Sequence, residues 1–214
     1  MKKGLAILRS GAVAALDVGT TKVCCFIARS DESNLPRIVG IGHQVANGVR
    51  NGGVVDMDRA EASIRAAVNA AEQMAGVTVR QVLVNASSGQ PTSRTIGFDV
   101  SVSGHEIGDS EIGRVLRQGR QVQVPRGREV IHAIPIGFTI DGSRGIRDPR
   151  GMHCERLGVN MHVVSAAAGA MRNVTTCVRR CHLDVEGLVV APYASGLAAL
   201  VEDEIDLGVT LIDM

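Results

Sequence analysis

The sequence has 214 residues, of which 45% are apolar and 21% charged, with a formal net charge of +1. This length allows one or two buried cores, and the balanced charge does not favour nucleic-acid binding. Aromatic residues are only 2% of the chain, so Val, Ala, Ile and Leu must build the core, which favours α/β layers. Five cysteines, two of them adjacent, do not form the framework of a disulfide-rich secreted protein and suit the cytoplasm.

The first residues resemble a signal peptide, because Lys2 and Lys3 precede apolar residues. Arg9 interrupts the apolar run after a few residues, and the small residues that follow belong to a strand. We therefore reject a signal peptide. No stretch reaches the roughly 18 apolar residues of a membrane-spanning helix.

The first predicted element is a buried strand from Val13 to Val18 that contains one carboxylate, Asp17. A second strand, Val23 to Ala28, begins after the residues Gly19, Thr20, Thr21 and Lys22. We expect Gly19 to turn with positive φ and to let a ligand approach the backbone. Hydroxyls, turn N–H groups and Lys22 suit a phosphate, and Asp17 suits hydrated Mg²⁺. The alternative is a hairpin whose turn merely uses Gly and Thr.

A third strand, Arg37 to Ala46, leads through a glycine-rich loop to a helix. Asp58 and Glu61 resemble the capping box at its start, and Gly76 is expected to end it. Val79 to Ala86 is a further buried strand. The order β-β-β-α-β is half of a ribonuclease-H-like layer.

The pattern then changes to a strand from Ser93 to Ser103 and a helix capped by Asp109 or Ser110. This helix should direct three arginines outward: Arg114, Arg117 and Arg120. In the strand Glu129 to Asp141, Pro135 lacks an N–H and should lie at an edge or a bulge. A polar loop from Gly142 to Glu155 and a strand from Gly158 to Ala166 complete a strand–helix–strand–strand unit.

A helix with Cys177 and Cys181 on its apolar face follows from Ala168, and we interpret both as core residues because no second ligand pair has metal-site spacing. We next expect a strand from Leu188 to Ala191 and a helix from Ser195 to Glu204. That helix would end in acidic residues, against the helix dipole. The final predicted strand runs from Gly208 to Met214.

Five motifs resemble the FtsA family of bacterial cell-division proteins, within the actin, heat-shock-chaperone and sugar-kinase superfamily. They are Leu-Asp-Val-Gly-Thr-Thr-Lys-Val (16–23), Gly-Gly-Val-Val-Asp (52–56), Val-Ile-His-Ala-Ile-Pro (130–135), Gly-Ile-Arg-Asp-Pro-Arg-Gly-Met (145–152) and Glu-Asp-Glu-Ile-Asp-Leu-Gly-Val (202–209). The first is shared by the superfamily, whereas the third and fourth lie in the unit that actin and the chaperones lack. The resemblance runs from about residue 13 to the end.

For the fold, the resemblance implies an α/β protein with an incomplete ribonuclease-H-like lobe and an inserted strand–helix–strand–strand subdomain. The expected divisions are 1–87 with 165–214 for the lobe, and 88–164 for the subdomain. We interpret the chain as the N-terminal portion of such a protein. The second lobe and a terminal membrane helix of the family would lie outside it.

For the function, the resemblance implies an actin-like adaptor that anchors the FtsZ ring at the inner face of the cell membrane at the septum and recruits later divisome proteins. FtsZ would bind the second lobe, whereas late divisome proteins and a neighbouring protomer of an actin-like filament would meet the inserted subdomain. Membrane contact would run through the terminal helix. The exposed Arg114, Arg117 and Arg120 are the candidate docking residues.

The implied cofactors are ATP and Mg²⁺. The family's first phosphate loop and the start of its second correspond here to Asp17, Gly19, Thr20, Thr21, Lys22 and Asp213. Asp17 would hold Mg²⁺ through water. ATPases of the superfamily carry an acid or amide near the position of Ala191, which has neither, so hydrolysis is left open as at most weak. With one loop, the chain is expected not to bind ATP at micromolar concentration.

One local departure concerns the helix end near Cys181, where the family usually has Gly and this sequence has His182. We expect His182 to take the left-handed conformation there.

Four alternatives stay open. A sugar or acyl kinase of the same fold would need a carboxylate near the end of the strand Val82 to Ala86, where the sequence reads Asn-Ala-Ser-Ser-Gly. A pilus-assembly actin-like adaptor would not be expected to share the motif at 130–135. Nucleic-acid binding by the arginines is opposed by neighbouring carboxylates and the lack of an aromatic platform. A metal site in Glu202 to Asp206 would need a glycine-turned loop of carboxylates.

Overall fold

The computed structural model describes residues 11–31 and 35–213. The rejected signal peptide and the last residue of the predicted strand 208–214 lie outside these ranges. Contacts divide the described residues into two compact units, 11–89 with 168–213 and 90–167. The predicted domain boundaries and the independent folding of either unit remain predictions.

The first unit is a five-stranded sheet with helices on one face. Its elements are β1 (Ala12–Val18), β2 (Lys22–Ser30), β3 (Pro36–Val45), the short β4 (Val49–Arg50) and β5 (Gly53–Val54), α1 (Met57–Ala75), β6 (Gln81–Ala86), α3 (Ala168–Arg180), β11 (Asp184–Val190), α4 (Ala191–Ala199) and α5 (Glu202–Leu207). The strand order is β11-β6-β1-β2-β3, with β4 and β5 paired separately. Strands β1, β6 and β11 are parallel, whereas β2 and β3 run antiparallel to their neighbours. This mixed α/β order is the predicted ribonuclease-H-like fold.

The core of this unit lies between the sheet and the helices α1 and α3, and is built from small apolar side chains. Two glycines of β3 let α1 approach the sheet closely: a Cβ on Gly40 would lie 2.3 Å from the carbonyl oxygen of Ala71, and one on Gly42 1.7 Å from that of Ala67. The opposite sheet face leaves Phe26, the largest apolar side chain there, 38% exposed.

The second unit is a four-stranded antiparallel sheet with one helix on one face. Its elements are β7 (Thr92–Ser101), α2 (Asp109–Arg120), β8 (Arg128–Ile140), β9 (Ser143–Ile146) and β10 (Arg156–Ala167). The strand order is β7-β10-β8-β9. Pro135 lies at a register shift, since Asn160 pairs with Gly137 and Met161 with Pro135, which confirms the predicted bulge.

Both helix starts differ from the prediction. Asp56, not Asp58, caps α1, because its carboxylate accepts a 3.1 Å hydrogen bond from the N–H of Arg59. Asp58 instead lies in the first turn and forms an ion pair with Arg180. The residue before α2 is Gly108, whose N–H donates to the Glu111 carboxylate at 3.0 Å.

The predicted polar loop 142–155 contains a strand, β9, which pairs with β8. Arg150 ties the rest of the loop to the start of α2, with ion pairs of 2.8 Å to both Asp109 and Asp148. The loop is therefore more ordered than its polar composition indicates.

The predicted helix 195–204 is wrong. The structure has two helices, α4 and α5, separated by extended backbone at Leu200 and Val201. The acidic residues thus begin a helix, where the dipole favours negative charge. Glu204 reinforces this start by accepting a 3.1 Å hydrogen bond from the N–H of Val201. Among the described residues, 208–213 form no strand, since no neighbouring strand pairs with them.

The end of α3 is as predicted, because His182 has φ of 62°. The five cysteines are free, and Cys181 is the least buried. Burial raises the pKa of Cys25 and that of Cys177 to about 11, so neither thiol ionises at neutral pH. Within the described ranges, no group of three or more metal-ligating side chains is close enough to hold a metal ion. In the same ranges, every helix is too short or too polar to cross a membrane.

Candidate functional site

The predicted phosphate loop is the tip of the β1–β2 hairpin. Gly19 donates its N–H to the carbonyl oxygen of Lys22 at 3.0 Å, and that N–H is therefore not available to a ligand. Gly19 does not have the positive φ that we predicted. It is a glycine because a Cβ would lie 2.9 Å from the Lys22 carbonyl oxygen.

The hydroxyl of Thr20 has a fixed role. Its Oγ1 accepts a 2.8 Å hydrogen bond from the N–H of Gly52, in the turn between β4 and β5. Since a hydroxyl has one proton and two lone pairs, the O–H of Thr20 stays available as a donor. In the part of the chain that the structure describes, the N–H groups of Thr20 and Thr21 have no acceptor. The loop thus offers several donors at one point.

The Gly52–Gly53 turn braces the loop from one side and the end of β6 from the other. Gly52 has φ of 71°, and a Cβ there would lie 2.9 Å from the carbonyl oxygen of Ser87. Gly53 lies against Ser88, since a Cβ added to Gly53 would lie 3.8 Å from the Cβ of Ser88. Only glycine combines this φ with such a close approach.

Asp17 lies at the carboxyl end of β1, next to the carboxyl end of the parallel strand β6. The register pairs Leu16 with Val84, which places Asp17 beside Asn85. The Nδ2 of Asn85 donates to Asp17 Oδ1 at 2.6 Å and to Ser87 Oγ at 2.8 Å. Ligands of open α/β sheets bind beyond the carboxyl ends of the strands, where these residues meet.

Two buried polar atoms at this edge have no partner within the described residues: Asn85 Oδ1 and Ser88 Oγ. Leaving a buried acceptor or donor unsatisfied costs roughly 1–3 kcal/mol of folding free energy. Sequence reasoning noted Asn85 only as the place where a kinase would carry a carboxylate. The sequence feature that could have identified Asn85 is its position, one residue before the end of a strand that runs parallel to the strand of Asp17.

These residues suit a phosphate with a hydrated Mg²⁺. Lys22 is exposed at the loop and supplies a cation, while Thr20 and Thr21 supply donors. Asp17 is half-buried and has one oxygen outside the Asn85 hydrogen bond. A carboxylate that holds Mg²⁺ through its waters is typical of phosphate sites. A bound Mg²⁺ would neutralise charge on the phosphate, while the chain's own donors would orient the phosphate.

Asp213 and Ala191 do not extend this site. Asp213 is exposed and lies outside any strand, and no hydrogen bond or ion pair joins it to the loop among the described residues. Ala191 is the first residue of α4 and Pro192 follows it in the first turn. No acid or amide is therefore present at this position.

The second candidate site is the arginine face of α2, defined by Arg114, Arg117 and Arg120. All three are exposed, as predicted. Arg114 donates to the carbonyl oxygen of Ser101 and is held against β7. Arg117 and Arg120 form no hydrogen bond or ion pair with other described residues, and they occupy the last turn, where the dipole favours cations.

Known proteins match this chain at two scales, one within the second unit and one over nearly the whole length. The family described as the SHS2 domain inserted in FtsA matches residues 89–165. The cell division protein FtsA of Agrobacterium fabrum is 44% identical over 222 residues, which cover 99% of this chain and 50% of the relative. Over almost its whole length, the chain is therefore similar to about half of a cell division protein FtsA.

Other FtsA proteins agree at lower identity. That of Bacillus subtilis is 31% identical over 202 residues, 94% of this chain and 46% of the relative. The chain thus spans about half the length of the curated FtsA relatives it matches. A solved PilM–PilN type IV pilus biogenesis complex contains a chain with the same fold, at a TM-score of 0.56 and 17% identity, covering 86% of this chain and 49% of that one. This likeness concerns the fold alone.

Proposed function

We propose that this protein is a cell-division adaptor that binds the phosphates of ATP, with Mg²⁺, in its first unit and division proteins through its second unit. The observation that supports the proposal most is the 44% sequence identity to the FtsA of Agrobacterium fabrum, which extends over 99% of this chain. The relatives reported above are cell-division proteins, which favours an adaptor over a sugar or acyl kinase. The pilus protein shares only the fold.

The nucleotide site of the proposal is the loop formed by Gly19, Thr20, Thr21 and Lys22, with Asp17 holding Mg²⁺ through water. This set offers the N–H groups and hydroxyls of Thr20 and Thr21 and one cation, enough to recognise a phosphate. It supplies neither a base to activate water nor an adenine pocket. We therefore assign it binding rather than catalysis, and leave at most a weak ATPase activity to the longer proteins of the family. In this proposal Asp213 belongs to a second phosphate loop.

The partners of the proposal are proteins of the division machinery. The second unit carries an exposed arginine face, and charges at the rim of an interface accelerate association more than they slow dissociation. We propose that Arg117 and Arg120, which no described carboxylate pairs with, steer a late divisome protein to this face, with Arg114 fixed beside them. The same proposal includes anchoring of FtsZ, self-association into filaments and attachment to the cytoplasmic face of the septal membrane.

Septal recruitment in living cells tests the proposal. A fluorescent fusion of the chain, expressed in a dividing bacterium such as Agrobacterium fabrum, is expected to concentrate at the septum. The double variant Arg117→Glu and Arg120→Glu should reduce the septal fraction several-fold. The control variant, Arg126→Glu with Arg144→Glu, reverses the same number of charges on exposed arginines outside α2. It should leave the septal fraction unchanged. Diffuse fluorescence of the wild-type fusion would contradict the binding of division proteins through the second unit.

A further inference from the structure

Asn85 makes an unusual set of hydrogen bonds for a residue at a strand end. Its amide nitrogen has two hydrogens, and both are used, at 2.6 Å to Asp17 Oδ1 and at 2.8 Å to Ser87 Oγ. Its carbonyl oxygen Oδ1 is buried and has no partner among the described residues. Turning the amide over would place that oxygen against the Asp17 carboxylate, so the negative charge fixes the orientation.

This arrangement does not serve folding well. A buried acceptor without a partner lowers stability, and a leucine of similar size would avoid that cost. The shorter of the two hydrogen bonds that Asn85 makes goes to the one carboxylate of the phosphate site. It engages Oδ1 of Asp17, and no described residue donates to Oδ2. The benefit of Asn85 is therefore the fixed orientation of Asp17.

We propose that Asn85 is a positioning residue, which holds the Asp17 carboxylate so that its second oxygen binds the water shell of a divalent cation on a bound triphosphate. The inference rests on the proposed nucleotide site and adds a residue to it. Partners that orient a metal-binding carboxylate typically contribute 10- to 100-fold in metal affinity. Asn85 acts only through Asp17 and needs no contact with the phosphate.

The experiment uses the whole chain, labelled with ¹⁵N, with inorganic triphosphate and Mn²⁺ as probes. Triphosphate alone should shift the amide signals of Gly19 to Lys22 in the wild type and in Asn85→Leu to the same extent. Titrated Mn²⁺ should then broaden these signals in the wild type. In Asn85→Leu the Mn²⁺ concentration for half-maximal broadening should rise about tenfold or more.

Ser88→Ala is the matched control. Ser88 also carries a buried polar atom without a partner, close to Asn85 in the chain, but has no bond to Asp17. It should bind Mn²⁺ like the wild type. Neither Asn85→Leu nor Ser88→Ala should lower Tm by more than about 2 °C, since each removes an unsatisfied group. Asn85→Ser, which is too short to reach both partners, repeats the test if leucine disturbs the packing.

A double-mutant cycle separates positioning from a direct role. Asp17→Asn should lose Mn²⁺ affinity, and adding Asn85→Leu should cause no further loss, because Asn85 acts through Asp17. Three outcomes would each overturn the positioning role. They are additive losses of Mn²⁺ affinity in the double variant, a Mn²⁺ affinity of Asn85→Leu within twofold of the wild type, and a wild type that binds triphosphate but not Mn²⁺. A wild type whose Gly19 to Lys22 signals do not respond to millimolar triphosphate would overturn the nucleotide site itself.

Discussion

The N–H of Gly52 donates a 2.8 Å hydrogen bond to the hydroxyl of Thr20, across 32 positions of sequence. This bond joins the glycine-rich turn of β4 and β5 to the tip of the β1–β2 hairpin. It explains why the motifs at 16–23 and 52–56 occur together: the second braces the first and leaves the Thr20 proton free to donate. The brace depends on glycine, which leads to the first prediction.

Gly52→Ala should destabilise the chain by roughly 2–4 kcal/mol, because alanine must adopt φ of 71° and its Cβ would lie 2.9 Å from the Ser87 carbonyl oxygen. Urea unfolding measures the change. Gly76→Ala is the control, since Gly76 has φ of 63° but nothing within 4 Å of a Cβ. This variant should cost about 1 kcal/mol, the cost of the left-handed backbone conformation alone. Equal losses for both variants would show that the contact with Ser87 is unimportant.

His182→Gly should stabilise the chain by up to about 1 kcal/mol, because a residue with φ of 62° after a helix favours glycine. The imidazole of His182 has no hydrogen bond to another described residue that would be lost. Thermal unfolding should show Tm raised by about 2–4 °C. Arg179→Gly, inside the last turn of α3, is the reverse control and should lower Tm, since glycine disfavours helix. A lower Tm for His182→Gly would mean that the side chain makes stabilising contacts.

The start of α2 should make stability depend on acid pH. Hydrogen bonds from the Ser110 hydroxyl and the Gly108 N–H lower the pKa of Glu111 to about 2 from an ordinary 4.5. The folded chain thus keeps this carboxylate charged where the unfolded chain protonates it. Its contribution is complete above pH 4.5 and is lost as the pH falls from 4.5 towards 2.

Glu111→Gln should therefore lower stability at neutral pH and flatten its dependence between pH 4.5 and 2. Urea midpoints measured across this range check the sign. Glu106→Gln removes a carboxylate from the loop before the same helix and should keep the wild-type slope. A Glu111→Gln protein with the full wild-type slope would show that another carboxylate controls the acid transition.

Lys22→Ala should weaken the binding of ATP about 10-fold or more, because one charge-assisted contact contributes roughly 1.5–3 kcal/mol. The chain offers one loop of donors, so we expect binding at millimolar and not at micromolar concentration. Amide shifts of Gly19 to Thr21 during an ATP titration measure it. Lys22→Arg retains the charge and should bind within a few-fold of the wild type. Calorimetry that detected micromolar Mg-ATP binding would show that the site is larger than this loop.

Local sequence patterns predicted most of the architecture. The strand of Asp17, the glycine at the end of α1 and the bulge at Pro135 each depend on a few neighbouring residues. The left-handed conformation of His182 was instead expected from the glycine that the resembling family carries at that position. Alternation, helical periodicity and the missing N–H of proline act over such short distances. The same patterns were wrong where two local signals competed, as at Asp56 and Asp58, either of which could cap α1.

The sequence by itself determined which residues form the hairpin of the phosphate loop and the buried strands of both units. Only the tertiary structure decided what holds that loop. The bonds from Asn85 to Asp17 and from Gly52 to Thr20 join residues 68 and 32 positions apart. Neither bond has a local signature, because each exists only once parallel strands and separate turns meet at one edge of the sheet.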